Sequence, residues 1–238
     1  MLSFRRDSRL TWLLTFGVVL FGCGTKRLAV VGPMPDPAAT VTMLERGTRL
    51  TGPVWIEFTW QLNEAGARLS GDGVARVEPP YRARLDLFLH NDETFFAAAL
   101  VDDDLRLPPG APDDILPPAD LMWSTLGVFR PMGGARLVGG DRLEERAERL
   151  RYRYDDGTEL HYEVTGGSMS VLELLEGEAV VQSVRLVRDE DDRYPKEATY
   201  RNLIDFRELK LTRVSVAPAD PFDPAIWDPR GTPAPDRE

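Results

Sequence analysis

The residues able to do chemistry in this chain are few and poorly matched to one another. There are two histidines, His90 and His161, and one cysteine, Cys23. A His-based metal centre or a triad needs histidine to converge with carboxylates. His90 falls in the polar turn His90-Asn91-Asp92-Glu93, and His161 points outward between Leu160 and Tyr162, on a strand read as distant from that turn. Both are expected at the surface. The densest acidic runs are Asp102-Asp103-Asp104 and Asp189-Glu190-Asp191-Asp192. Clustered carboxylates suit Ca2+, but neither run has EF-hand spacing, and both fall at strand ends, where solvated turn charges account for them. The pairs Glu144 with Glu145 and Asp113 with Asp114 are no more specific. No P-loop, GxGxxG, HExxH or GxSxG sequence occurs. The expectation is a non-enzymatic protein with no metal and no cofactor.

Cys23 is different because of what precedes it. Arg5, Arg6 and Arg9 lead into an apolar run from Leu10, which ends at Leu20-Phe21-Gly22-Cys23. A basic start, about a dozen apolar residues and a small residue before the processing point make a secretory signal. The run is too short for a membrane-spanning helix of roughly 20 residues. Leu20 to Cys23 resembles a bacterial lipobox, with Leu three positions before the Cys and Gly directly before it; Phe21 is bulkier than that motif usually has. The resemblance implies cleavage after residue 22 and a diacylglyceryl thioether and N-acyl chain on Cys23. Two or more acyl chains anchor a protein stably. The competing reading is an ordinary secreted protein whose lone thiol fell there by chance. Gly24 is not the Asp that, in the enterobacterial pattern this resembles, retains a lipoprotein in the inner membrane. An outer-membrane anchor facing the periplasm is therefore expected.

Composition narrows the partners. The net charge is −10, and without residues 1–22 it is −12, with 26 basic against 38 acidic residues. Such a surface repels phosphate backbones and anionic lipid headgroups, so no nucleic-acid partner is expected. A hydrophobic content of 42% suffices for a core. The expected division is signal peptide 1–22, lipidated tether 23–40, one folded domain 41–228 and a disordered tail 229–238.

The elements that must position any site are mostly strands. Thr40 to Arg49 predicts a short helix. From Pro53 the period becomes two: Val54, Ile56, Phe58, Trp60 and Leu62 alternate with Glu57, Thr59 and Gln61, broken only by Trp55. Gly66 predicts a turn, and Gly71-Asp72-Gly73 a bulge within Ala67 to Glu78. Tyr81, Ala83, Leu85, Leu87 and Leu89 alternate with Arg82, Arg84 and Asp86, and strands follow over Thr94 to Val101 and Asp104 to Leu107. Prolines preclude regular structure over 108–118. Ala119 to Phe129 predicts a helix apolar around most of its girth, which something must cover. Seven further strands are predicted between Ala135 and Val216, with hairpin signals at Asp155-Asp156-Gly157 and Gly166-Gly167. Phe222, Ile226 and Trp227 are candidates to pin the proline-rich tail.

The hairpin-linked order predicts a mainly β protein with a single curved antiparallel sheet, an incomplete barrel of about eleven strands with one or two helices covering its concave face. So broad an apolar concavity exceeds its own helical plug, and a cavity able to hold acyl chains is expected. The lipobox, linker, meander order and mid-sheet helix, with the strand Pro80-Tyr81-Arg82-Ala83-Arg84-Leu85-Asp86 before a polar turn, resemble the LolA/LolB-like lipoprotein-carrier superfamily. That resemblance spans about residues 40–228. It implies an incomplete barrel, closed by helices, that binds lipoprotein acyl chains. The hydrophobic loop residue of the LolB member has no counterpart in the polar turn His90 to Glu93.

On this reading the lipid-binding residues are Ile56, Phe58, Trp60, Leu85, Leu87, Leu121, Met122, Trp123, Leu126 and Phe129. The cover helix is either plain core or a lid, with Met122 adapting to an irregular ligand. The expected function is a membrane-anchored envelope lipoprotein that binds or carries acyl chains, of a lipid or a lipoprotein. The alternative is a structural lipoprotein docking an envelope protein partner through its acidic face. An envelope hydrolase stands third.

Overall fold

The computed structural model describes residues 27–112, 115–189 and 192–229. The expected signal, Cys23 and Gly24, the pairs Asp113–Asp114 and Glu190–Asp191, and the tail from residue 230 lie outside them. In chain order the elements are β1 (Val30–Pro33), α1 (Pro37–Thr48), β2 (Val54–Glu64), β3 (Ala67–Glu78), β4 (Arg82–Leu89), β5 (Thr94–Val101) and β6 (Asp104–Arg106). Then come α2 (Ala119–Thr125), β7 (Arg136–Leu143), β8 (Glu148–Arg153), β9 (Glu159–Thr165), β10 (Ser168–Glu176), β11 (Ala179–Val187), β12 (Glu197–Asn202) and β13 (Arg207–Pro218). All strands join one antiparallel sheet in the order β1-β7-β8-β9-β10-β11-β12-β13-β2-β3-β4-β5-β6. β1 and β6 are its two edges, so the sheet is curved around a core but not closed.

Thirteen strands stand against the eleven or so expected. The added edge strand β1 pairs with β7, from Val30 opposite Leu143 to Pro33 opposite Asp141. Four residues show no alternation to read, so the span 23–40 expected as a tether is already folded from Val30, and α1 starts at Pro37 rather than Thr40. Its cap explains that start: the Asp36 carboxylate accepts the Ala39 N–H at 3.1 Å, with Pro37 in the first turn.

Two further expectations are corrected by packing. No bulge lies at Gly71-Asp72-Gly73; β3 pairs without interruption from Val54 opposite Val77 to Glu64 opposite Ala67. The glycines instead make room. A Cβ at Gly71 would lie 1.8 Å from the Phe88 carbonyl oxygen, and one at Gly73 2.3 Å from the Phe58 ring. The second helix ends at Thr125, not Phe129. Gly127, at φ +78°, terminates it, with Gly127 N–H on the Ser124 carbonyl and Val128 N–H on the Trp123 carbonyl, both 2.9 Å. This is a Schellman cap.

Candidate functional site

The concave face is assembled by register. Ile56 of β2 lies opposite Ala75 of β3, which lies opposite Leu85 of β4; Phe58, Gly73 and Leu87 form the next row. Trp60 lies over Gly71 and donates its indole N–H to the carbonyls of Asp72 and Phe88, at 3.0 and 3.1 Å. All ten residues expected to form the interior belong to one buried cluster.

The cover has three parts. Leu44 brings α1 into the core. Leu121, Met122 and Trp123 of α2 are buried, and α2 packs over β10, β11 and β12. The segment after the helix adds Leu126, Val128 and Phe129. Phe129 meets the rings of Tyr162 and Tyr152 edge-on, with centroids 4.8 and 6.4 Å apart. Among the described residues, polar bonds fasten each of these parts, including the Thr40 hydroxyl of α1 on Glu148 at 2.9 Å and Arg130 of the post-helix segment on Asp103. Trp123 donates to the Asp102 carbonyl at 2.8 Å. The Phe129 N–H reaches the Thr48 hydroxyl at 3.0 Å. Arg193 donates to the Thr48 carbonyl at 2.9 Å. The Tyr154 hydroxyl donates to Asp120 in the first turn of α2.

Burial pushes the phenols of Tyr154 and Tyr162 upward. For Tyr154 the Asp120 carboxylate adds to this, because a phenolate could not donate to it. Tyr152 is pushed up to about 12 by burial and the nearby Glu45 charge. These three phenols are neutral at physiological pH.

A small pocket of about 30 Å3 opens between the end of α2 and the sheet, lined by Ile56, Phe58, Ala75, Leu126, Ala198 and Leu211, among others. That is near the volume of one water. The residues expected to line a wide hollow pack against one another in the buried cluster. Trp60, Tyr152, Tyr162 and the post-helix segment supply bulk that a count of helices leaves out.

The polar candidates are engaged in structural pairing. Arg130 lies 2.9 Å from Asp103 and 3.6 Å from Asp102, and Arg106 pairs with Asp104 at 2.8 Å. Lys196 pairs with Asp189, and Arg213 with Asp192. Among the described residues no three His, Cys, Asp or Glu side chains are arranged to hold a metal. His90 is exposed, as expected, beside the Ser70 hydroxyl at 3.3 Å. His161 is not a surface residue: only 9% of it is exposed. It sits on the outer face among charged neighbours, with Nε2 2.8 Å from Glu159.

No family model matches the sequence, and no curated protein matches it. Structural comparison does find neighbours. A LolA superfamily protein of Nitrosomonas europaea superposes with a TM-score of 0.55, covering 79% of this chain and 96% of its own, at 9% identity. The chain shares its fold with that LolA superfamily protein. Two weaker likenesses are to a lipoprotein-sorting protein domain described as putative, from Vibrio parahaemolyticus (TM-score 0.48, 8% identity, 79% and 94% covered), and a DUF1329 family protein of Desulfovibrio piger (0.47, 9%, 80% and 96%). Identities this low establish architecture and leave chemistry to the residues.

Within the LolA-like fold, the sequence reasoning missed how the cover is fastened. Tyr152, Tyr154 and Tyr162 are visible as aromatic alternation on two strands, but their pairing with Phe129 and Asp120 needs the helix in place. Nothing local marks Thr48 or Arg193.

Proposed function

We propose that this protein is an envelope lipoprotein, anchored through acylated Cys23, whose LolA-like interior takes up an acyl chain when its cover lifts. It performs no reaction. The observation supporting this reading is that the seal over the concave face is apolar. Leu121, Met122, Trp123, Leu126 and Phe129 contribute roughly 1.5–3 kcal/mol each when buried, so lifting them into water costs on the order of 10 kcal/mol. A chain of about sixteen methylenes gains ~0.8 kcal/mol for each one buried, ~13 kcal/mol in all, enough to offset that cost. The pocket beside α2 holds about 30 Å3, too little for an acyl chain, so uptake through it is coupled to movement of the cover.

The test is organic extraction of the purified full chain for bound lipid, with titration of a fluorescent fatty acid. Ala198→Val, which adds two methyl groups at the small pocket beside Leu126, should weaken uptake while the fold is retained by circular dichroism. No recovered lipid and no saturable uptake would reject carriage.

The packed interior itself favours a second reading, a structural lipoprotein that docks an envelope protein. Crosslinking to a protein partner in cells, with no lipid recovered, would select it.

A further inference from the structure

The outer face of the sheet carries a groove of about 600 Å3 over β9 to β12, lined by Arg27 and Leu28 and, across it, by Arg185, Arg201 and Leu203. Arg27 is fixed there by Glu173 at 3.3 Å. Cys23 stands four residues earlier in the chain, and four residues span at most about 14 Å. Whatever holds Cys23 therefore lies close to this face.

Leu203 opens the turn between β12 and β13, and that turn is unusual in composition. Hairpin tips normally carry small polar residues, whereas Leu203, Ile204 and Phe206 here are 46, 59 and 84% exposed. The turn is held in shape, since the Asn202 side chain accepts the N–H groups of Ile204 and Asp205 at 3.0 and 3.1 Å. Phe206 also sits at φ +53°, a left-handed conformation costly for a bulky side chain. Neither burial nor backbone comfort accounts for an aromatic ring at this position. Contiguous exposed apolar side chains mark surfaces that meet another phase or partner. The groove carries charges of both signs, since Glu145, Glu163 and Glu173 line it with Arg27 and Arg185, and Arg201 pairs with Glu208 at 2.7 Å, so the apolar turn and not charge carries the contact.

We infer that the Leu203–Phe206 turn, at the end of the groove that Arg27 also lines, is the part of this protein that meets a lipid bilayer. The turn seats its apolar side chains at headgroup depth, and β13 rises away from the membrane. The inference deepens the proposed function and rests on the Cys23 anchor for proximity, while the turn's composition is independent of that anchor.

The test uses full chains carrying Phe206→Cys or Asp220→Cys, labelled with a bimane fluorophore. They are mixed with phosphatidylethanolamine–phosphatidylglycerol vesicles containing nitroxide-labelled lipid. Asp220 lies just beyond the far end of β13, about 40 Å along a twelve-residue strand. Quenching at position 206 should exceed that at 220 at least threefold. Phe206→Asn, in a chain labelled at Ile204→Cys, should melt no lower than its parent and lose at least half of its quenching. An unquenched label at 206, or equal quenching at the two sites, overturns the inference. Label uptake by the unsubstituted chain reads the anchor separately, because Cys23 reacts only if it is not acylated. Where Cys23 does react, both labels are placed in a Cys23→Ser chain, and quenching at 206 there would support the surface and reject the anchor.

Discussion

Two guanidinium groups, from Arg76 and Arg84, close on the carboxylate of Asp86, with contacts of 2.5 and 2.8 Å. Asp86 is fully buried and Arg84 nearly so, although the alternation of β4 reads both as outward and solvated. Burial pulls the Arg76 guanidinium below its usual range, and Asp86 opposes that pull. Removing the carboxylate leaves two buried cations unpaired. Asp86→Ala should cost about 3–5 kcal/mol in urea unfolding. His161 gives a pH signature on the same face. Burial lowers its pKa below 6.5, outweighing the attraction of Glu159 and Glu173, while Arg149 also disfavours charge. The neutral ring, carrying its proton on Nε2, donates to Glu159, and that bond holds the Glu159 carboxyl low. The unfolded chain binds the proton more readily, so stability is highest above pH 6.5 and falls as pH drops through the window between 6.5 and the lowered folded value. His161→Gln should flatten that part of the stability–pH curve, measured by urea midpoints between pH 7.5 and 5.

At the scale of elements, β3 and α2 show what a sequence conveys and what it hides. Alternation on β2 and β4 was enough to bring Ile56, Phe58, Trp60, Leu85 and Leu87 into one interior, because a period of two has a single outcome once one face is buried. The glycines of β3 were misread because their reason lies on neighbouring strands: the Phe88 carbonyl and the Trp60 and Phe58 rings crowd them. Gly71→Ala should cost more than the ~1–3 kcal/mol of ordinary overpacking, since the clash is with backbone that cannot swing aside. Gly47→Ala, with nothing within 4 Å, is the control and should leave the melting temperature unchanged or slightly higher. For α2, apolar composition predicted burial correctly but overran the helix end, because Leu126, Val128 and Phe129 stay buried after Gly127 stops the helix. The Tyr154–Asp120 bond is the contact to release when testing whether this element lifts. Tyr154→Phe should lower global stability by only about 1–2 kcal/mol. Hydrogen exchange at the α2 amides should accelerate about tenfold, with the amides of β9 unchanged, if the cover opens locally.

At the scale of the whole molecule, a sheet with two free edges has a second face to protect, and the C-terminal segment after β13 covers part of it. A 3-10 turn, Pro224–Trp227, packs over β4 and β5. Arg84 donates to the Ile226 carbonyl at 2.9 Å and Arg106 to that of Trp227 at 3.0 Å. Trp227 is 4% exposed, with Phe222 edge-on at 5.9 Å. This strap turns Arg84 and Asp86 from surface charges into buried ones, an effect the alternation of β4 could not convey because its cause lies more than a hundred residues away. The strap and the triad are therefore one energetic unit. Truncation after Ala219 should cost several kcal/mol, from losing a buried tryptophan at about 3–5 kcal/mol, partly offset by rehydration of the triad. In the truncated chain Asp86→Ala should then cost under about 1.5 kcal/mol, because its arginines are solvated. A double-mutant cycle with truncation as one arm should show a coupling of at least 1.5–2 kcal/mol. Additive losses would mean that the triad is shielded by the sheet alone and that the strap is a passive cover.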